Sequence, residues 1–275
     1  MEITQPREPL SHPQNAWLFD VDGVITNPLE KSITEPGMIP EIVKRLNAFE
    51  PVGIVSGRAL PWLIAQVVSL VENQATDKAL LENLFVSAEF GGVSVHYKDG
   101  QEVKVIDQSV SLPEDLKDRV SGIVRGEFED VAFIDEEKVT HFSAEMKRGV
   151  SMEQFKKRQG ELSARLVQAV KDADQTDEIE VHNDRIATNV KNRKLNKHLA
   201  IQKILKWLDD RGITPQMFHV FGDSRSDLEM GYELNTRGKK VRFVYVGEED
   251  LGELPFEVVQ QGNVDKGTLE YLLSN

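Results

Sequence analysis

The sequence predicts an α/β fold in which a parallel-sheet core is interrupted by a smaller α+β module. Three observations carry this. Apolar runs of strand length recur at 16–21, 52–57, 84–92, 217–223 and 241–247, the pattern of strands buried on both faces. Stretches with helical spacing separate them, and strand–helix–strand succession implies parallel pairing through right-handed crossovers. Between about 93 and 187 the pattern changes to alternating, half-polar strands with two helices, and the first pattern then returns.

In chain order, "AWLFDV" (16–21) is the first strand, followed by loop signals at Asn27-Pro28 and Pro36-Gly37. Ile39, Ile42, Val43 and Leu46 then keep the i, i+3, i+4, i+7 spacing of an amphipathic helix. "VGIVSG" (52–57) is the second strand, and "LPWLIAQVVSLV" (60–71) is a helix apolar nearly all round, expected to be well buried. "LFVSAEFGG" (84–92) is a third strand closing on a glycine pair. "VSVHY" (93–97) and "EVKVI" (102–106) flank the turn "KDG" as a hairpin with one wet face. Ser111-Leu-Pro-Glu114 is a capping-box start for a helix to about Val124, and Ser151 with Gln154 starts a longer one to about Asp172. "EIEVHND" (178–184) alternates as a strand. Ile201, Ile204, Leu205 and Leu208 form a helical stripe ending at Gly212, and "MFHVFGD" (217–223) and "VRFVYVG" (241–247) are buried strands either side of the short helix "SDLEMGYEL". A helix over about 265–273 finishes the fold. The expected division is 1–92 with 188–275 for the core and 93–187 for the insert.

Composition bounds the partners. The 275 residues include 46 acidic and 33 basic side chains, for a formal charge of −13. Such a surface repels nucleic acid and anionic membrane, so an anionic ligand must find a local positive pocket. With no cysteine, disulfides, thiolate metal sites and thiol nucleophiles are excluded. The opening "MEITQPREPLSHPQN" is polar and proline-rich without a leader-like apolar core, and no run approaches the roughly 18 apolar residues of a membrane span. A cytoplasmic protein is expected. Trp17, Trp62 and Trp207 fall in apolar elements and are assigned to the core.

Three strands end in polar signatures: Asp20-Val21-Asp22-Gly23, Ser56-Gly57-Arg58, and Gly222-Asp223-Ser224-Arg225-Ser226-Asp227. Ligands of open parallel sheets sit beyond the carboxyl ends of the strands, so all three gather at one edge. Two unit charges 4 Å apart repel by roughly 4 kcal/mol at an effective dielectric of 20. Asp20, Asp22, Asp223 and Asp227, converging there, must protonate or bind a cation. Hard oxygen ligands with open water positions suit Mg²⁺.

These residues resemble the haloacid dehalogenase (HAD) superfamily of aspartate-nucleophile phosphohydrolases. "DVDGVIT" is similar to its first motif, "VSG" to its second and "GDSRSD" to its acidic fourth, while Lys197 in "LNKHLAIQKIL" is similar to the lysine of the third. The resemblance spans residues 16 to about 247 and implies a Rossmann-like core. The insert resembles the C2-type cap of the Cof-like, trehalose-phosphate and sucrose-phosphate phosphatases. By that resemblance Asp20 attacks phosphorus, forming an aspartyl-phosphate. Asp22 protonates the departing alkoxide and then activates water. Ser56 and the Gly57 N–H hold phosphate oxygens, and Lys197 offsets negative charge. Asp20, the Asp22 carbonyl, Asp223 and Asp227 hold Mg²⁺.

For the substrate, Arg58 is a candidate anion contact. In the insert, "THFSAEMKRG" (140–149) offers His141, Glu145, Lys147 and Arg148 for hydroxyls and phosphate. Cof-like members carry Asn where this chain has Phe90, His198 stands where Gly often follows the lysine, and Ser226 replaces a common Asn. The expected function is Mg²⁺-dependent hydrolysis of a small phosphomonoester, a sugar phosphate above others. A phosphomutase and a non-catalytic phospho-ligand-binding protein remain alternatives, and oligomeric state is left open.

Overall fold

A computed structural model describes residues 11–275, so what the sequence implies for the first ten lies outside the described residues. The elements in chain order begin with β1 (Asn15–Phe19), α1 (Met38–Asn47), β2 (Val52–Val55), the split helix α2 (Leu60–Leu63) and α3 (Ser69–Gln74), then β3 (Leu84–Ala88), β4 (Val93–Lys98) and β5 (Gln101–Ile106). The middle stretch holds α4 (Glu114–Ile123), β6 (Ala132–Ile134), β7 (Phe142–Met146), α5 (Met152–Asp172), β8 (Ile179–Asn183) and β9 (Ala187–Asn192). The chain closes with α6 (Lys197–Asp210), β10 (Met217–Gly222), α7 (Leu228–Thr236), β11 (Val241–Tyr245), β12 (Glu257–Gln260) and α8 (Val264–Ser274).

Eight strands form the large sheet in the order β12-β11-β10-β1-β2-β3-β4-β5. Pairing is parallel from β12 through β3 and antiparallel for β4 and β5. Alternate β1 residues enter different cores: Trp17 and Phe19 pack with Ile42 and Leu63, whereas Ala16 and Leu18 pack with Ile201 and Ile204. A strand covered on both faces reads as a continuous apolar run, which is why β1 and β10 were legible. Gly53 on β2 has a packing reason. A Cβ there would lie 2.6 Å from Leu18 Cδ2 and 3.0 Å from Ile204 Cδ1, so its absence lets α6 seat against the sheet.

The second sheet, β6-β7-β9-β8, is antiparallel and has its own core, in which Phe142 and Val190 meet Phe155, Leu162 and Leu166 of α5. Ser151 and Gln154 form the capping box that the sequence predicts at the start of α5.

Sheet membership differs from the expected division at 93 and 187. The hairpin 93–106 extends the large sheet through β3–β4 pairing, and β9 pairs with β7 and β8 in the small one. Alternation marks a half-wet strand whichever sheet it joins, so it cannot assign the partner. At Ser111-Leu-Pro-Glu114 no capping box forms: Ser111 Oγ donates to the Asp107 carbonyl, and Pro113 takes the cap position without a side-chain acceptor. Proline excludes the helical conformation just before it, moving the start to Glu114. The segment 60–74 is buried on one face only, with Leu70 41% exposed. The sequence pattern does not mark β6, β7, β9 or β12 as strands. Among the described residues no helix is long and apolar enough to cross a membrane.

Ile204 is 1% exposed and faces Gly53 across the α6–sheet contact. Ile204→Ala is expected to lower unfolding free energy by about 2–5 kcal/mol, checked by urea denaturation at unchanged m-value.

Candidate functional site

β10, β1, β2 and β3 are adjacent and parallel, so the loops at their carboxyl ends open side by side. Asp20 directly follows β1, its N–H donating to the Phe221 carbonyl of β10 at 3.1 Å. Ser56, Gly57 and Arg58 follow β2, Glu89 to Gly91 follow β3, and Asp223 follows β10. The turn after Asp20 needs glycine: Gly23 has φ +79°, and a Cβ there would fall 2.3 Å from Asp223 Oδ2.

Lys197 is the first residue of α6, where Asn196 caps the helix by accepting the Leu199 N–H. Its Nζ lies 2.6 Å from Asp20 Oδ1 and is also hydrogen-bonded to Asp227 Oδ1. The second oxygen of Asp227 accepts the N–H groups of Asp223 and Ser224 and the Ser224 hydroxyl, each at 2.9 Å. Asp227 thus holds Lys197 with one oxygen and shapes the Asp223 turn with the other.

Carboxylate oxygens of Asp20, Asp223 and Asp227 lie within 4.8 Å of one another. Burial, reinforced by the charges of Asp227 and Asp223, outweighs Lys197 and pushes Asp20 up to about 8. Burial and the Asp227 charge push Asp223 up to about 7. Burial alone would lower the Lys197 ammonium, but Asp20 and Asp227 raise it, so it stays charged. Protons are retained here because negative charge is crowded, and a divalent cation would relieve the same crowding. The donor set, hard carboxylate oxygens without sulfur or imidazole, fits Mg²⁺.

Asp22 is not part of this oxygen cluster. Its carboxylate takes a two-pronged ion pair from Arg58, at 2.9 and 2.8 Å, with Lys31 at 3.4 Å. Burial would raise Asp22, but the Arg58 hydrogen bonds and charge hold it below the ordinary carboxylate range. Arg58, a candidate phosphate contact from sequence, is here committed to Asp22 and lies over the Trp62 ring at 4.7 Å. Trp62 is half-buried, not interior as expected.

A cavity of about 330 Å³ opens above the carboxylates. Asp20, Asp22, Ser56, Gly57, Lys197 and Asp223 line its core side, and Lys138, Glu145, Asp184 and Asn189 face it from the insert. Lys147 and Arg148, expected at the substrate, do not line it. They follow β7, where Lys147 donates its backbone N–H to Val131 and its Nζ to the Glu129 carbonyl at 2.8 Å. Arg148 borders a separate cavity with Trp62 and Phe133. Within β7 it is Glu145 that turns inward, while His141 is wholly buried away from the cavity.

Sequence reasoning missed Lys138, Asp184 and Asn189. Lys138 sits in a charged loop, and Asn189 lies in "ATNVKN", a polar segment that is a fully buried strand. Its sequence carries only weak alternation.

No protein-family model matches the chain, and no curated protein sequence does. Solved structures match along most of its length. A haloacid dehalogenase-like hydrolase from Bacteroides thetaiotaomicron has a TM-score of 0.67 at 13% identity, covering 95% of this chain and 99% of that one. The C-terminal domain of trehalose-6-phosphate phosphatase from C. albicans has a TM-score of 0.66 at 16% identity, covering 94% and 91%. An IMP-nucleotidase from Plasmodium falciparum has a TM-score of 0.56 at 12% identity, covering 96% of this chain and 69% of that one. The chain therefore has the haloacid dehalogenase-like fold.

With Asp20 at about 8 and Asp223 at about 7, above the ordinary 3.8, the metal-free native state binds protons that the unfolded chain has lost. These groups make stability fall as pH rises through roughly 4 to 8. A divalent cation bound among these carboxylates would displace those protons. Its stabilisation is expected to be larger at pH 8 than at pH 6, reaching roughly 5 °C in melting temperature at a hundredfold excess over Kd. Differential scanning fluorimetry at both pH values checks this.

Proposed function

We propose that the chain is a Mg²⁺-dependent phosphomonoesterase acting on a small phosphorylated metabolite. The observation that carries the reading is Asp20: a buried carboxylate at a strand end, 2.6 Å from the Lys197 ammonium, on the floor of a cavity that the insert covers. The haloacid dehalogenase-like fold supports it.

Asp20 and Asp223 are the residues that would hold Mg²⁺, with Asp227 bracing both Lys197 and the Asp223 turn. When bound, the ion screens the repulsion between an anionic nucleophile and an anionic phosphate. Lys197 adds a fixed positive charge on Asp20, and the Ser56 hydroxyl and Gly57 N–H are candidates for the phosphate oxygens.

The Asp20 carboxylate attacks phosphorus as the bond to the leaving oxygen breaks, and Asp22 donates a proton to that oxygen. Asp22 then takes a proton from water as the water attacks the aspartyl-phosphate, releasing inorganic phosphate and restoring Asp20. Arg58 holds Asp22 ionised before substrate arrives. A phosphate dianion that draws Arg58 away lifts that restraint, and the Asp22 carboxyl rises toward a range in which it can donate.

The insert favours a hydroxyl-rich leaving group. Lys138, Glu145, Asp184 and Asn189 put donors and acceptors opposite Asp20, and Asn189 Oδ1 is buried with no partner among the described residues. The cavity is of a size for one small ligand. A sugar phosphate suits it better than a flat, apolar group.

The test is phosphate release with Mg²⁺ across sugar, polyol and nucleotide monophosphates. Turnover of sugar phosphates is expected, and activity on nucleotides alone would overturn the substrate. Asp20→Asn is expected to lower kcat about 10³-fold or more. Unchanged turnover in that variant would overturn the mechanism. Transfer of phosphate within the substrate, without release, would indicate a mutase instead.

A further inference from the structure

The turn after β3 is unusual. Glu89, Phe90 and Gly91 have φ values of +49°, +56° and +94°, and two of the three carry a Cβ. Side-chain-bearing residues hold left-handed backbone only where the surroundings over-determine it. Here the constraints come from both sides. Toward the core, the Glu89 N–H donates to the Arg58 carbonyl at 3.1 Å and the Phe90 N–H to the Ser56 carbonyl at 3.0 Å. The Phe90 ring fills the space beside Gly57, where a Cβ would lie 2.3 Å from its Cζ.

Toward the insert, the Glu89 side chain makes the connection. It is 0% exposed. Its oxygens accept the Val139 N–H at 3.0 and 3.1 Å, the Thr140 N–H at 2.8 Å and the Thr140 hydroxyl at 2.7 Å. Burial would raise this carboxyl, but His141 beside it and the two N–H groups bring it down to about 2, so it is an anion at neutral pH. Thr140 also packs on Gly92, where a Cβ would meet its Oγ1 at 2.3 Å. The residue before Val139 is Lys138, itself 7% exposed and lining the cavity across from Asp20.

We propose that Glu89 is a positioning residue: its carboxylate holds the Val139–Thr140 backbone and thereby sets Lys138 over the leaving-group side of the cavity. Resting on the phosphomonoesterase reading, this makes leaving-group recognition depend on a carboxylate that touches no substrate. The same turn carries the Ser56-Gly57-Arg58 loop, so the two halves of the cavity are built from one strained segment.

The test combines a kinetic split with a readout independent of activity. In Glu89→Ala, hydrogen exchange at the Val139 and Thr140 amides is expected to quicken about tenfold or more while β3 amides keep their rates. KM for glucose 6-phosphate is expected to rise about tenfold relative to its change for p-nitrophenyl phosphate, with kcat within about threefold. Glu89→Gln, which keeps one acceptor oxygen, falls between. Lys138→Ala gives a similar KM effect, and the double variant is no worse than either single one, since both remove one contact. Additive effects in the double variant, or equal losses on both substrates, would overturn the assignment, as would unchanged exchange at Val139 and Thr140. Should Glu89→Ala fail to fold, Glu89→Gln and Thr140→Val make the same comparison. If no phosphomonoester is turned over, the functional reading falls, and the exchange measurement alone decides whether Glu89 holds the insert.

Discussion

The site depends on one ammonium set among acidic side chains. Lys197 contacts both Asp20 and Asp227, and Asp223 stands close enough that burial and the Asp227 charge push its carboxyl up to about 7. Removing one partner of such a group leaves the remainder as uncompensated buried charge. The arrangement therefore behaves as a unit: the lysine limits the repulsion, the surplus negative charge would favour a cation, and Asp227 fixes the lysine and the turn that bears Asp223.

The parallel sheet supplies this geometry at little local cost. β10, β1 and β2 end side by side, so residues far apart in the chain reach one edge without long loops. Helix α6 begins at that edge, which puts Lys197 against Asp20 from a rigid element. Glycines make the close approaches: Gly23 admits Asp223, and Gly57 admits Phe90. The insert then covers the edge, joined to it through Glu89 and the Phe90 turn. The net charge of −13 would repel a phosphate, and Lys138, Lys197 and Arg58 line the cavity beside six carboxylates, so a bound cation would be needed to make it hospitable to an anion.

Legibility followed chain distance. The core strands other than β12 and the strand-end places of Asp20, Ser56 and Asp223 could be read because each is announced by an apolar run and the polar residue that ends it, and α1, α5 and α6 because helical spacing or a capping box marks them within a few residues. Lys147 and Arg148 do not line the cavity because they lie past the end of β7, where Val131 and Glu129 hold Lys147, and local sequence does not encode where that strand ends. Asn189 escapes sequence reasoning because β9 is polar yet buried, with Thr188 and the Asn189 amide nitrogen paired to Asn183 and Asp184, contacts that no local pattern announces. Phe90 stands out in the sequence only as a departure from Asn, since nothing local predicts φ +56° for phenylalanine.

By itself the chain's order of residues determined the parallel core, the presence of an insert and a carboxylate-rich edge, because periodicity and strand-end chemistry are local properties, while Lys197 was marked only by the family resemblance. Tertiary structure alone decided which sheet the hairpin 93–106 joins, that Arg58 is bound to Asp22, and that Glu89 grips residues some fifty positions away. Those outcomes rest on side chains meeting across elements that share no local pattern, and only the packed chain brings them within hydrogen-bonding distance.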